Sequence, residues 1–222
     1  MLLAIDTSTV QLGLALYDGA QVMAELTWTS RARHTEELAP ALAGLFTRCG
    51  KTMDDVQALG VAIGPGSFTS LRVGLAFAKG LALARRIPLV GVRTLDVTAA
   101  SVPSADCRLA AVLQAGRGRL AVGWYHRSEN GWQAVGPAVM MTAEELERKI
   151  RKPTIICGEL TADERQLLRR RFKNVSLASP SQCLRRPGVL AEIAWVRWQA
   201  GLTDLPASLA PIYLHVAGGP PT

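Results

Sequence analysis

The sequence has few residues able to bind metal or cross-link the chain. Its four cysteines, Cys49, Cys107, Cys157 and Cys183, are dispersed with no C-x-x-C pair, and His34, His126 and His215 are equally scattered. That spacing fits four unpaired thiols better than a disulfide or zinc framework. The most apolar segment, 71–84, is broken by Arg72, Gly74, Lys79 and Gly80, which argues against a membrane span. No charged n-region followed by an apolar h-region opens the chain, where residues 2–5 look like a short buried strand. A secretory signal is therefore not expected, and the expected location is the cytosol. No aromatic-interleaved RNA-binding signature accompanies the basic residues.

What is present is an apolar, basic chain of 222 residues, 49% hydrophobic, with a net charge of +7. Such a chain is globular and long enough for one domain or two small ones. Residues 1–100 carry 9 Lys/Arg against 8 Asp/Glu, and residues 101–222 carry 16 against 10, so the basic excess belongs to the second half. It gathers at Arg148-Lys149-Ile150-Arg151-Lys152, Arg169-Arg170-Arg171-Phe172-Lys173 and Arg185-Arg186. These runs fit attraction to RNA or an acidic partner, and they equally fit dipole-compatible cations on the last turns of solvated helices.

The chain is organised around residues 59–83. The β-branched apolar run Leu59-Gly60-Val61-Ala62-Ile63, the break Gly64-Pro65-Gly66-Ser67-Phe68-Thr69 and the apolar segment 70–83 read as strand, tight loop and helix. Gly64 and Gly66 permit unusual backbone angles, and Ser67 or Thr69 can cap the helix. The loop fits an anion cradle, or a tight turn that binds nothing. The helix is apolar all round, so it needs cover on more than one side, and a partner interface is expected there.

In chain order, Leu2–Ile5, Leu12–Tyr17 and Gln21–Trp28 read as a three-strand meander turning at Asp18-Gly19. A helix over 35–49 places Leu38, Leu42, Leu45 and Phe46 on one stripe and ends at Gly50; Met53–Gln57 is a short helical link. Pro88–Val92 is a strand, Thr94 caps a helix to Ser101, and Pro103–Asp106 reads as a hinge. The second half repeats the pattern with strands at 109–113, 120–125 and 132–139. Capping boxes Thr142/Glu145 and Thr161/Glu164 open helices reaching Arg151 and Arg171, with strands at 154–158 and 175–177. Pro187 opens a helix closed by Gly201, Ile212-Tyr213-Leu214 is a final extended segment, and the Gly/Pro-rich tail is expected to fray.

Two successive halves, each a meander continued by alternating strand and helix, resemble the actin, sugar-kinase and heat-shock ATPase superfamily. That resemblance implies an α/β fold of two duplicated subdomains, each with a mixed sheet, at 1–102 and 103–222, with nucleotide between them. A sharper resemblance is carried by Asp6-Thr7-Ser8 after the first strand and His34-Thr35-Glu36 opening the first helix. Gly64-Pro65-Gly66-Ser67-Phe68-Thr69 before Leu71-Arg72-Val73-Gly74, then Lys79-Gly80-Leu81-Ala82 and Pro211-Ile212-Tyr213-Leu214, extend it. Together these look like the TsaB (YeaZ) family, bacterial partner proteins in threonylcarbamoyladenosine synthesis on tRNA. The match spans the chain and is dense over residues 1–100.

The resemblance implies a non-catalytic paralogue of TsaD, the subunit that transfers threonylcarbamoyl from threonylcarbamoyl-adenylate to N6 of adenosine 37 in tRNAs reading codons that begin with A. It implies pairing with a TsaD-type subunit through the first-half helices, recruitment of a TsaE-type ATPase, and a homodimer by the same surface when the chain is alone. It also implies contact with tRNA indirectly through the complex, and no membrane partner. Candidate interface residues are Leu38, Leu42, Leu45, Leu71, Leu75 and Phe77. No catalytic residue or metal is expected, because His34 has no second histidine within one or two helical turns. Asp6, Thr7, Ser8, Gly64, Gly66 and Ser67 are candidate vestigial phosphate loops. No cofactor is expected to bind tightly, with ATP or ADP held weakly or only in the complex.

Two positions depart from the family pattern: Ser70 where glycine is usual, and Gln114-Ala115-Gly116-Arg117-Gly118-Arg119 in place of an Asp-Ala-Arg-type start of the second half. Loss of a carboxylate at Gln114 removes one metal-water contact. The alternative is a small-molecule kinase or ATPase of the superfamily using Asp6 and the 64–69 loop, which requires a further carboxylate for magnesium and a base for the acceptor. A metallopeptidase requires zinc ligands at suitable spacing, which the sequence does not supply.

Overall fold

A computed structural model describes residues 1–31, 33–170 and 173–214. The described chain divides into two compact units: Met1–Val97 with Arg186–Ile212, and Thr98–Arg185 with Tyr213 and Leu214. The first unit opens with the antiparallel meander β1 (Leu2–Asp6), β2 (Gln11–Tyr17) and β3 (Val22–Thr29). α1 (His34–Cys49) and a 3₁₀ turn at Met53–Asp55 lead to β4 (Ala58–Ala62), α2 (Phe68–Arg85) and β5 (Leu89–Val92). β4 and β5 add parallel to β1, giving the order β3-β2-β1-β4-β5.

Every residue of β1 is buried, because both faces of this central strand are covered. Leu3 and Ile5 join Leu38, Leu42, Leu45, Leu75 and Ala78 under α1 and α2. Leu2 and Ala4 face the other way, toward a layer built with small residues at Ala15, Ala58 and Ala62. Alternation along the strand assigns its side chains to these two cores.

After α3 (Thr94–Ala100) the second unit repeats the plan. β6 (Arg108–Gln114), β7 (Leu120–Ser128) and β8 (Gly131–Ala134) form an antiparallel meander, with β9 (Val139–Met141) also on β7. α4 (Ala143–Lys149), β10 (Thr154–Gly158), α5 (Ala162–Arg169) and β11 (Val175–Leu177) follow. The order β11-β10-β6-β7-β8 is the first unit's order over again, two parallel strands on one side of the first strand and the meander on the other. α4 and α5 cover a core of Ala110, Val112, Leu120, Val122, Leu146, Ile156 and Leu168, and both helices open with the expected capping boxes.

The fold is the expected α/β class, but the expected division at 102/103 is corrected. The first boundary falls inside α3, at Val97/Thr98, and not in the Pro103–Asp106 segment. Residues 186–212 leave the second half and return to the first unit, where α6 (Pro187–Gln199) buries Leu190, Ala191 and Ala194 against the small-residue face of the first sheet. Its close approach depends on glycine: a Cβ at Gly60 would stand 2.7 Å from the Ala194 Cβ. Trp195 packs edge-on against both Tyr17 and Trp198.

The expected strand 132–139 is two strands, β8 and β9, separated by Gly136-Pro137; proline cannot donate to a ladder. Ile212–Leu214 forms no strand, although the Ile212 N–H donates to the Ile63 carbonyl at 2.7 Å. The expectations that touch Arg171, Phe172, His215 and the Gly/Pro-rich tail lie outside the described residues.

Candidate functional site

The two loops expected to form a phosphate cradle are brought together in the first unit. β1 delivers Asp6 into Thr7-Ser8-Thr9, β4 delivers the 63–67 loop beside it, and α2 starts there. The Ser8 N–H donates to Asp6 Oδ1 at 2.8 Å, and the Thr7 hydroxyl donates to the Ser70 carbonyl at 2.7 Å. The Ser67 N–H reaches the Ser8 carbonyl at 2.7 Å, and Ser8 Oγ shares a 2.8 Å hydrogen bond with Thr94 Oγ1. Thr94 Oγ1 also accepts the Gly64 N–H at 3.0 Å.

Asp6, Thr7 and Ser8 are all buried, so the polar atoms expected for a ligand are engaged in joining β1, β4, α2 and α3. The glycines serve the same joint. A Cβ at Gly66 would lie 2.1 Å from the Ser8 carbonyl oxygen, and one at Gly74 would lie 2.2 Å from Thr7 Oγ1. Gly64 has φ +106 and would bring a Cβ 2.6 Å from the Ile212 carbonyl oxygen. Ser67 is the exposed N-cap of α2, accepting from the Ser70 N–H at 3.5 Å and from the Ser70 hydroxyl at 3.1 Å.

His34, at the start of α1, is buried, and its Nε2 lies 2.9 Å from the Thr9 carbonyl oxygen. A carbonyl accepts, so Nε2 carries the proton and the ring ties α1 to the β1–β2 turn. Among the described residues no group of three or more His, Cys, Asp or Glu is placed to hold a metal ion. Cys157 is fully buried, and burial pushes its thiol well above the ordinary thiol range, so the thiolate nucleophile is suppressed.

The expected helix-face residues need correction. Leu38, Leu42, Leu45, Leu71 and Leu75 are buried in the first unit's own interior, and Phe77 alone of the six is partly exposed. Their regular spacing marks the core stripe. The outward face is the other one. Phe68 is 54% and Leu83 67% exposed on α2, with Arg72, Ala76 and Gly80 between them. The Arg72 guanidinium sits 3.6 Å from the centroid of the Phe68 ring.

Beside this face, α1 exposes Thr35, Ala39, Ala43 and Gly44. A cavity of about 500 Å³ opens between the two helices, bounded by His34, Ala39, Phe68, Arg72, Val73 and Phe77. Phe68 heads the i, i+4 row 68, 72, 76, 80, and Leu83 joins that side of the helix three residues after Gly80, away from Leu71 and Leu75. The missing cue was which row would meet the sheet.

In the second unit, Gln114 donates through Nε2 to Glu164 Oε2 at 2.7 Å and to the Glu159 carbonyl at 3.3 Å. A carboxylate at 114 would oppose Glu164, whereas the Gln114 amide donates to it.

Residues 22–180 match the family described as TsaD, tRNA N6-adenosine threonylcarbamoyltransferase. The chain is 33% identical over 171 residues to the Bacillus subtilis tRNA threonylcarbamoyladenosine biosynthesis protein TsaB, covering 75% of this chain and 74% of that protein. It is 32% identical over 154 residues to the Escherichia coli protein of the same name, covering 68% of this chain and 66% of that protein, just under two thirds of its length. The solved structure of YeaZ from Pseudomonas aeruginosa shares the fold, with a TM-score of 0.76 at 21% identity over 96% of this chain and 99% of that one.

Proposed function

The chain belongs to the TsaB (YeaZ) family, and from that premise we propose that it serves threonylcarbamoyladenosine formation on tRNA as a non-catalytic partner of a TsaD-type threonylcarbamoyltransferase. The reading includes a homodimer through the same face when the chain is alone, recruitment of a TsaE-type ATPase to the assembled pair, and tRNAs that read codons beginning with A as substrates.

The observation that carries it is the outward face of α1 and α2. Phe68 and Leu83 stand exposed beside Arg72 and the small residues Ala39, Ala43, Gly44, Ala76 and Gly80, and a Cβ added at Gly44 or Gly80 would meet nothing within 4 Å. Such a face admits another helix at short distance, with the cavity beside Phe77 as a socket for an apolar side chain and Arg72 at its rim. Nucleotide is held weakly or only in the complex. The supporting observation is that the Gly64 and Ser67 N–H groups are already engaged by Thr94 and Ser8.

The test is light scattering of the chain alone and mixed with its TsaD-type partner, for wild type and for Phe68→Glu/Leu83→Glu. Leu75 is unsuitable because its side chain is core. Loss of both self-association and pairing with an unchanged melting temperature supports the reading; wild type that stays monomeric and ignores the partner overturns it. A melting temperature unmoved by millimolar Mg-ATP is expected for the chain alone, since tight binding must raise it.

A further inference from the structure

The second unit carries a feature that the partner reading does not use. Its sheet gathers one end of the unit from scattered parts of the sequence: the starts of β6, β10 and β11, the end of β7, and the last turns of α4 and α5. Backbone hydrogen bonds hold this end together, from the Arg108 N–H to the Pro153 carbonyl at 3.2 Å and from the Thr154 N–H to the Asn174 carbonyl at 2.9 Å. The cations of 148–152, and Arg169, Arg170 and Lys173 some twenty residues further on, thereby share an edge with Arg108 and with His126 and Arg127 from β7. Lys149, Arg151, Lys152, Arg169, Arg170 and Lys173 are all exposed. Asp106, Glu129 and Glu147 are the acids within or next to these segments.

Within this basic end lies a cavity of about 620 Å³. Trp124, half-buried, packs against the α4–α5 core and lines the cavity. The Val135 N–H donates to the Trp124 carbonyl at 2.8 Å, which fixes the Val135-Gly136-Pro137 wall. Tyr125, Arg108, His126 and Lys149 complete the lining, and Arg108 and Lys149 make no ion pair among the described residues. Arg108 and Lys149 beside an indole match a nucleotide unit: phosphate for the two cations and a base for the ring.

We infer that this end of the second unit binds RNA directly, with Trp124 receiving an unpaired base and Arg108 and Lys149 the flanking phosphates. The occupant is RNA because the cations extend far beyond the cavity, as a strand with many phosphates requires and a single nucleotide does not. The chain's pI of about 9.7 accords with that. The inference does not depend on the α1–α2 face.

The test uses the full-length chain alone. A labelled tRNA transcript and a single-stranded adenosine hexamer are titrated by anisotropy from 50 to 200 mM salt, with tryptophan fluorescence followed in parallel. Arg108→Gln/Lys149→Gln should weaken both ligands and reduce the salt slope by about 1.5. Trp124→Leu should leave the slope unchanged, weaken the hexamer at least about fivefold and abolish the quench; Trp124→Phe, which keeps the core filled, should fall between.

Unchanged slopes and quench in these variants overturn the inference. So does competition by poly-glutamate equal to that by RNA, which would mark an acidic protein partner, or a full quench by millimolar AMP, which would mark a free-nucleotide pocket. Light scattering with the TsaD-type partner on the same variants should be unaffected, so failure here and failure of the partner reading are separately visible.

Discussion

The two units share one strand order and differ in what they show to solvent. The first holds 11 Lys/Arg against 10 Asp/Glu and the second 14 against 8, which places net charges of +1 and +6 on the same topology. The first leaves an apolar helical face open, and the second leaves a basic end with an aromatic hollow. A duplicated scaffold constrains the interior of each unit, where packing is close, and leaves the outward rows free to diverge.

The sharpest way to break this comparison is at the glycines on which each scaffold depends. Gly158→Ala would put a Cβ 2.0 Å from the Val112 carbonyl oxygen at φ +116, and Gly66→Ala would put one 2.1 Å from that of Ser8. Each should destabilise its unit by about 4 kcal/mol or prevent folding, because backbone cannot yield as a side chain can. Urea unfolding followed by tryptophan fluorescence and circular dichroism checks both. An unaltered midpoint for either variant would show that the loops relax apart.

Next in size is the contrast between the two rows of α2. Leu75→Ala empties a core position and should lose about 3 kcal/mol in urea unfolding. Leu83→Ala should change stability by under about 0.5 kcal/mol while weakening self-association in sedimentation. A reversed pattern would mean that α2 lies rotated from its described phase.

Arg185 and Arg186 stand on either side of the second unit boundary and sharpen the comparison through neighbours. The Arg185 side chain is 1% exposed, with Nη1 3.0 Å from Glu159 Oε1; Arg186 is 57% exposed against Glu25. Arg185→Ala leaves Glu159 without that partner in a partly buried site and should lose about 2–3 kcal/mol. Arg186→Ala should lose under about 1 kcal/mol, a loss reduced further by salt. Equal midpoints for the two variants would contradict the difference in burial.

The smallest effect is a pH dependence in the first unit. Trp28 Nε1 donates to Glu37 Oε2 at 2.7 Å, and this hydrogen bond is the main cause that lowers the Glu37 pKa below its ordinary 4.5. A depressed folded-state value contributes stability above pH 4.5 that is lost as pH falls through the lowered value. Trp28→Phe should therefore narrow the difference in melting temperature between pH 6 and pH 3.5 by a small amount. A difference equal to wild type would show the bond to be immaterial.

Much of this molecule was legible in the residues. Strand and helix positions followed from periodicity, Gly50 ended α1 as expected, and Thr142/Glu145 and Thr161/Glu164 capped α4 and α5. Asp6-Thr7-Ser8 and the 64–67 loop were expected as candidate phosphate loops. Their joining by Ser8, Ser67 and Thr94 was not, because Thr94 lies far along the chain. The leucines of α1 and α2 were mistaken for an outward face because a regular apolar stripe looks the same whether a sheet or a partner covers it.

Sequence alone therefore determined the local elements, the repeated meander-then-alternation plan, the family and the basic excess of the second half, since each depends on neighbouring residues or composition. Tertiary structure decided that 186–212 return to the first unit, because only contact geometry reveals that Gly60 and the alanines of β1, β2 and β4 leave room for α6. It also decided which row of α2 faces outward, and that basic runs distant in sequence converge beside Trp124. The order of strands in a sheet, rather than any single residue, sets which ends of the chain become neighbours.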